Sequence, residues 1–252
     1  MDMEVFAVPG LPEVQAGDDI AALIDRQSDL QDGDVICVAS TIVSKAEGRA
    51  FDLADFEAGE RARAIASRLE GITGDGKDPR FAQAVIEESE ELLMEAPFLL
   101  TVTHFGHITV NAGIDRSNVP GADLLLLPEG PTASADAIRE GLPADVAVVV
   151  TDTSGRPFRH GQRAVALGWS GMAANRDWRG EHDRDGRELG VTVQSVVDEL
   201  AGTANLVTGE GDGGTPVAVV RDWAFGDHDG HATLFRNAET DFVRQALRQW
   251  SY

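Results

Sequence analysis

The sequence is poor in cysteine and has no long apolar run. Cys37 is the only cysteine, so the chain cannot form an internal disulfide or a metal site built from several thiolates. The apolar runs at 124–127 and 146–150 are far shorter than the about 20 residues that a membrane-spanning helix needs. The N-terminus also lacks the basic and then apolar order of a signal peptide. We therefore expect a soluble, cytoplasmic protein.

Basic residues are scarce as well, because 21 Lys and Arg face 43 Asp and Glu, which gives a formal net charge of −22. A protein that binds nucleic acid or anionic membranes needs a basic stripe, and none is present. Lys45 and Lys77 are the only lysines. An acid-rich, lysine-poor surface is typical of a very salty cytoplasm, where ions screen the self-repulsion. An acidic protein from an ordinary cytoplasm is the alternative.

Short apolar runs alternate with amphipathic stretches in an irregular order, which predicts an α+β (mixed α/β) fold rather than a doubly wound one. Ser134 is expected to cap a helix. The charged segment 176–188 is a candidate lid. The expected strands are 5–8, 35–39, 98–103, 107–111, 124–127, 146–151, 164–168 and 216–220, and the expected helices are 18–30, 53–69, 81–93, 134–140, 191–201 and 239–250.

Two glycine-rich segments resemble nucleotide-binding motifs but lie in the wrong context. Residues 71–78 nearly match a P-loop, yet Asp78 replaces the required Ser or Thr and the segment follows a predicted helix. A helix C-cap with Lys77 at the surface is the expected structure there. Residues 209–214 match the dinucleotide fingerprint, but a strand follows them instead of a helix. They remain either a loop that approaches a phosphate or an ordinary turn.

Carboxylates and hydroxyls near predicted strand ends are the best candidates for chemistry. Asp115 and Asn118 are three residues apart, which would place them on one face of a helical turn. Oxygen ligands of this kind suit Mg²⁺, although capping or turn roles are the alternative. Asp152 and Thr153 follow the most apolar strand, at a position where ligands commonly gather and where a helix N-cap is the alternative.

Another buried strand is followed by two hydroxyls and a lysine, Ser40, Thr41 and Lys45. They could contact a phosphate, and a solvated lysine is the alternative. The histidines form no ligand pattern, and His228 with His231 predicts no zinc site because matching ligands are missing.

Six segments together resemble the coenzyme F420-0:L-glutamate ligases, a family of GTP-dependent γ-glutamyl ligases. They occur in the family's order over nearly the whole chain, and the segment 111–118 is the most specific. The segments are 9–12 (Pro-Gly-Leu-Pro), Ser40-Thr41 with Lys45, 76–80 (Gly-Lys-Asp-Pro-Arg), 111–118 (Asn-Ala-Gly-Ile-Asp-Arg-Ser-Asn), Asp152-Thr153 and 209–216.

The resemblance implies a site for divalent metal, Mg²⁺ or Mn²⁺, together with K⁺ and GTP. Asp115, Asp152, Thr153 and Glu210 would hold the divalent metal, and Lys45, Asp115 and Asp152 would be catalytic. The family usually has Gln where Glu210 stands, so this chain adds a negative charge there. The residues implied to contact GTP are Pro9, Gly10, Leu11, Pro12, Ser40, Thr41, Lys45, Asn118, Thr208, Gly209, Glu210, Gly211, Asp212, Gly213, Gly214 and Thr215.

The implied reaction converts a carboxylate of F420-0 to an acyl phosphate at the expense of GTP, and the amine of L-glutamate then displaces phosphate. A second, γ-linked glutamate would be added to F420-1. The implied architecture is a single two-lobed α+β domain over residues 1–252, with a largely antiparallel mixed sheet, in an intertwined homodimer. No appended nitroreductase-like domain is expected. A metal-dependent nucleotide phosphohydrolase and a non-catalytic nucleotide-binding protein are the alternatives.

Overall fold

The computed structural model describes residues 3–74, 76–224 and 233–250. His228 and His231 lie outside them. The strands are β1 (Glu4–Ala7), β2 (Val35–Ala39), β3 (Ala50–Phe51), β4 (Ser89–Met94), β5 (Leu100–Thr103), β6 (Ile108–Val110), β7 (Leu124–Leu125), β8 (Ala147–Ser154), β9 (Arg163–Ser170), β10 (Asn175–Asp177), β11 (Val193–Ser195) and β12 (Val217–Arg221). The helices are α1 (Ile20–Gln27), α2 (Ser40–Ala46), α3 (Glu60–Thr73), α4 (Pro79–Glu87), α5 (Pro131–Gly141), α6 (Val196–Thr208) and α7 (Phe242–Arg248).

A five-stranded sheet in the order β1-β12-β2-β8-β9 is the centre of the fold. Strands β2 and β8 are parallel, and the other pairs of this sheet are antiparallel. The parallel pair places Ala39 opposite Thr151. The fold class predicted from the sequence, a mixed and largely antiparallel α+β fold, is therefore confirmed.

Helices cover both faces of this sheet because its central strands are apolar on both sides. Ile36 of β2 belongs to the core under α1, α2 and α5, whereas its neighbour Cys37 belongs to the core under α6. Alternate residues of a strand point to opposite faces, so one short apolar run can support two cores. The burial also raises the pKa of the Cys37 thiol to about 12.

A second structural unit, residues 51–126, has its own core. Ile65 and Leu69 of α3 pack with Phe81 and Val85 of α4, and Leu124 of β7 closes the cluster. The antiparallel sheet β4-β5-β6 flanks it, and β3 pairs with β7. Whether the two units form the expected lobes, and whether the chain dimerises, stay predictions.

Several of the element predictions were wrong in part. The expected helix 191–201 starts only at Val196 as α6, and strand β11 precedes it because Val193–Ser195 pairs with β10. The expected helix 81–93 ends at Glu87, and β4 follows it because that segment pairs with β5. The expected helix 53–69 is a short 3-10 helix, Leu53–Asp55, followed by α3. Ser134 is no N-cap, since α5 starts at Pro131, and Ser134 Oγ instead donates to Glu47 Oε1 at 2.5 Å.

The rejected nucleotide motifs have the context that the sequence predicted. Gly74 ends α3 in the left-handed conformation, so residues 71–74 form a helix C-cap. Residues 209–216 link α6 to β12, which is the wrong order for a dinucleotide fold. The candidate lid begins in β10 and includes a bridge between His182 and Glu188. No helix among the described residues is long and apolar enough to cross a membrane.

Candidate active site

One edge of the central sheet gathers most of the predicted site residues. The carboxyl ends of β1, β2 and β8 lie at this edge with the amino end of β12, because β1 and β2 run antiparallel to β12, and β2 runs parallel to β8. Backbone bonds from Val8 N to Val217 O and from Ala39 N to Pro216 O, both 2.8 Å, hold the strand ends together. Four predicted segments, 9–12, 40–45, 152–153 and 208–215, therefore meet there.

Ser40 and Asp152 form the centre of this edge. Ser40 begins α2 directly after β2, and its buried Oγ donates to Asp152 Oδ1 at 2.9 Å. Asp152 was expected just after a strand that ended at 151. Asp152 lies within β8, because this strand continues to Ser154. It is one position past Thr151, the last residue of β8 that pairs with β2.

The electrostatics at Asp152 favour a cation. The residue is partly exposed, but its carboxyl group is surrounded by protein, and this burial raises the pKa of Asp152 to about 6. Hydrogen bonds from Ser40 and from the backbone of Thr153 lower the pKa, whereas the charges of Asp115 and Glu210 raise it further. Ionisation of a buried carboxyl group near two other carboxylates is unfavourable, so a bound cation would stabilise the ionised form.

Glu210 is held against β8 from the loop between α6 and β12. Its Oε1 accepts from Thr153 Oγ1 at 2.9 Å and from Asn205 Nδ2 at 2.8 Å. Thr153 and Glu210, which are 57 residues apart in the chain, are thus brought into contact as the predicted set requires. Asn205, on α6, was not predicted, because nothing in its sequence context separates it from other polar helix residues.

Asp115 reaches the edge at the end of a strained segment, residues 111–115, which we call the strap. Asn111, Ala112 and Gly113 all have positive φ angles, of 55°, 56° and 69°, a conformation that costs about 1–2 kcal/mol at each non-glycine position. Thr101 Oγ1 supports the strap by accepting from Ala112 N at 3.1 Å. Backbone strain of this kind persists only where the surrounding structure holds it, and it is common at active sites.

The helical turn predicted for Asp115 and Asn118 is wrong. Asp115 pairs with Leu125 in an isolated bridge, and its Oδ1 accepts from Ser117 N and Ser117 Oγ, both at 2.8 Å. The turn alternative left open by the sequence is therefore correct for the local structure. Asn118 is exposed with a φ of 53°.

The other segments implied to contact GTP lie on loops at the same edge. Gly10 has a φ of 79°, and a Cβ there would lie 3.2 Å from Gln27 Oε1, so glycine fits this turn. The loop 208–215 is mostly exposed, and its ends are tied together because Thr215 Oγ1 donates to Thr208 O at 3.2 Å.

Lys45 is not the solvated lysine that the sequence left as an alternative. Its side chain is 12% exposed, and Nζ lies 2.5 Å from Glu13 Oε1. Glu13, which directly follows the segment 9–12, was not singled out in the sequence. A phosphate that binds Lys45 must share the ammonium with this carboxylate or displace it.

The donor set fits a hard divalent cation. Among the described residues, no group of three or more His, Cys, Asp or Glu side chains is arranged to hold a metal ion by itself. Mg²⁺ needs few protein ligands, because water and phosphate oxygens complete its shell. Asp115, Asp152, Glu210 and the Thr153 hydroxyl supply only oxygen, and the charges of Asp115 and Glu210 add to the rise in the pKa of Asp152 that burial causes.

Comparison with known proteins identifies the family of the chain. The family model for F420-0:gamma-glutamyl ligase matches residues 10–222. Proteins named coenzyme F420:L-glutamate ligase are similar over 99% of this chain. Those from Halorubrum lacusprofundi and Natronomonas pharaonis are 72% identical over 250 residues, covering 99% and 98% of those proteins, and that from Archaeoglobus fulgidus is 46% identical over 253 residues, covering 99%. The chain therefore belongs to the F420-0:gamma-glutamyl ligase family.

Proposed function

We propose that this chain is a GTP-dependent ligase that adds L-glutamate to coenzyme F420-0. The observation that carries the proposal is the Asp152 carboxylate, which is hydrogen-bonded to Ser40 and lies within the field of Asp115 and Glu210 at the carboxyl ends of two parallel strands. Family membership and the names of the relatives support the ligase class and the F420 substrate. GTP, the metal and the chemical steps are those that the family resemblance implies, and the oxygen donors around Asp152 are compatible with them.

In the first step, an oxygen of the F420-0 carboxylate attacks the γ-phosphorus of GTP. A bond forms between the carboxylate oxygen and the γ-phosphorus, which gives the acyl phosphate. The bond between the γ-phosphorus and the oxygen that bridges it to the β-phosphorus breaks, and GDP leaves. Bound at Asp115, Asp152, Thr153 and Glu210, a divalent metal would neutralise the phosphate oxygens as charge develops. The hydroxyl of Ser40 keeps the Asp152 carboxylate oriented toward the site.

In the second step, the amine of L-glutamate attacks the acyl carbon, and phosphate leaves as the amide forms. No protein nucleophile is required, so the side chains act by positioning and by electrostatics. Lys45 adds a positive contact once a phosphate competes with Glu13 for it.

The proposal extends to a second cycle on F420-1, in which the γ-carboxylate of the first glutamate is activated in the same way. It also includes K⁺ as a further cation, a homodimeric assembly and a cytoplasmic, salt-adapted setting. These points follow from the family resemblance and from the composition.

One experiment tests the reaction. The protein is incubated with GTP, Mn²⁺ or Mg²⁺, L-glutamate and F420-0, and the products are followed by mass spectrometry. Glutamyl-extended coenzyme with one GDP per amide is expected. GDP formed without an acceptor would instead identify a phosphohydrolase, and binding of GTP without any GDP would identify a nucleotide-binding protein.

Asparagine variants of two carboxylates test the metal assignment. Asp115→Asn and Asp152→Asn should each abolish ligation, because an amide cannot replace the charge that holds the cation. Asp25→Asn, which makes the same change at an exposed position of α1, should keep full activity. Circular dichroism should show that all three variants are folded. Near-normal turnover in both site variants would overturn the assignment.

A further inference from the structure

Two cations lie over one aromatic ring beside the Asp115 strap. Lys77 Nζ lies 5.0 Å from the centroid of the Phe81 ring, and the Arg116 guanidinium lies 5.8 Å from it. Lys77 Nζ also donates to Asn111 Oδ1 at 2.5 Å. The sequence predicted a surface lysine at a helix C-cap, but Lys77 is only partly exposed.

Neither cation is neutralised by an acid of the described residues. No carboxylate in that part of the chain forms an ion pair with Lys77 or Arg116, although acidic residues outnumber basic ones two to one in the sequence. Arg80 binds both carboxylate oxygens of Asp78. These bonds lower the pKa of Asp78, and the charge of Arg116 lowers it a little further. Burial and then the charge of Arg116 lower the pKa of Lys77. Two like charges are thus held together where an anion would stabilise both.

The pair is joined to the proposed reaction centre through the backbone. Asn111, which binds Lys77, begins the left-handed strap, and Arg116 directly follows Asp115. Both cations belong to the unit 51–126, whereas most of the proposed GTP contacts lie on loops of the central sheet. An anion bound here would therefore lie beside the strap that carries Asp115, on a different structural unit from most of those loops.

We propose that Lys77 and Arg116 form an anion subsite that binds a carboxylate of a ligase substrate. The inference rests on the proposed function, in which F420-0 and L-glutamate both bring carboxylates to this centre. A planar guanidinium binds a carboxylate through two parallel hydrogen bonds, and an ammonium beside it adds a point charge. Phe81 keeps both cations in place on an apolar surface without neutralising them.

Steady-state kinetics with each substrate varied in turn identifies the ligand. Lys77→Met and Arg116→Met should each raise KM for either L-glutamate or F420-0 about ten- to a hundredfold, the effect of losing a charged hydrogen bond. The KM for GTP should change less than twofold. Arg61→Met is the matched control, because it removes the same charge from an exposed arginine of α3 that is already paired with Glu95, and its KM values should stay within twofold of wild type.

Arg116→Lys separates recognition from simple charge. The variant keeps the positive charge but loses the planar guanidinium that can form two parallel hydrogen bonds. Its KM for the affected substrate should therefore lie between those of wild type and Arg116→Met. Arg116 is exposed, and the side-chain bond to Asn111 comes from Lys77, so the Arg116 variants carry the test even if Lys77→Met alters the strap. Equal melting temperatures confirm that the Arg116 variants are folded.

Three results would overturn the subsite while wild type still forms glutamylated product: a KM change for GTP alone, unchanged KM values in the Arg116 variants, or an equal effect in Arg61→Met. A wild-type protein that forms no glutamylated product would overturn the proposed function, and the subsite with it.

Discussion

At the scale of single residues, Glu210 is a member of the proposed metal set whose contacts can survive the removal of its charge. Glu210→Gln keeps an oxygen that can accept from Thr153 and Asn205, but it removes one of the two charges that raise the pKa of Asp152. We expect the Mn²⁺ or Mg²⁺ concentration for half-maximal activity to rise about tenfold, while activity at saturating metal is retained.

Metal titrations of initial rates on both proteins, at fixed GTP, measure this change. The same half-maximal concentration in the variant would show that Glu210 contributes no charge to metal binding.

His107 is a second residue with a distinct prediction, because it is buried without a partner for Nε2 among the described residues. It lies beside the rings of Phe105 and Phe235. Burial lowers the pKa of His107 to about 4 from 6.5, against a smaller rise from Asp198. The unfolded chain therefore binds the proton more tightly. The stability contribution is complete above about pH 6.5 and is lost as the pH falls toward 4.

Replacing the imidazole by a similar ring, His107→Phe, should remove this part of the pH dependence. The free energy of unfolding of wild type should fall between pH 6.5 and 4.5 by about 2 kcal/mol more than that of the variant. Urea titrations of both proteins at each pH, in constant salt, give the difference. Because all carboxylates remain in both proteins, parallel pH curves would contradict the assignment.

At the scale of elements, α7 is attached to β4 by charge more than by apolar contact. Glu91 of β4 accepts from Arg244, at 2.6 Å for its Nη2, and from Arg248, at 2.5 Å for its Nε. The Arg244 side chain is only 8% exposed. Phe242 and Val243 of the same helix remain exposed. Removing the acid would leave a largely buried guanidinium unpaired.

Glu91→Gln should therefore destabilise the protein by about 2–3 kcal/mol, since breaking a buried ion pair costs more than losing an exposed one. Glu90→Gln, at the exposed neighbouring position, should change stability by less than about 0.5 kcal/mol. Urea denaturation measures both, and hydrogen exchange should show faster exchange confined to 242–248 in Glu91→Gln. Equal stability of the two variants would show that the pair does not hold α7.

Elements with a strong apolar pattern could be predicted from the sequence, whereas those fixed by distant pairing could not. Strand β2 has the predicted bounds, 35–39, because residues buried on both faces leave a continuous apolar run. The segment 89–94 reads as a helix locally and becomes β4 only because β5 pairs with it. The strap at Asn111 and Ala112 has no sequence signal, since its left-handed angles depend on contacts with Lys77 and Thr101.

At the scale of the whole molecule, the site already contains several carboxylates, and the proposed substrates would bring further negative charge to it. GTP, F420-0 and L-glutamate are anions, and the chain carries a formal charge of −22. Long-range attraction therefore cannot guide them, and local cations must reverse the field. The proposed divalent metal would do so at Asp152, and Lys77 with Arg116 would do so at the proposed anion subsite. The other acids lie mostly on the surface, where they repel one another.

This surface repulsion makes the stability of the molecule depend on salt. At 0.1 M the screening length is about 10 Å, and at 1 M about 3 Å, so neighbouring acids interact strongly only in dilute salt. We expect the melting temperature to rise by at least about 10 °C between 0.1 M and 2 M KCl, with activity following it. Calorimetry in a KCl series measures the rise, and a sucrose series of equal osmolality controls for general exclusion from the surface. A protein that is fully folded and active at 0.1 M KCl, with no rise in melting temperature, would refute the salt-adapted surface and leave an acidic protein of an ordinary cytoplasm.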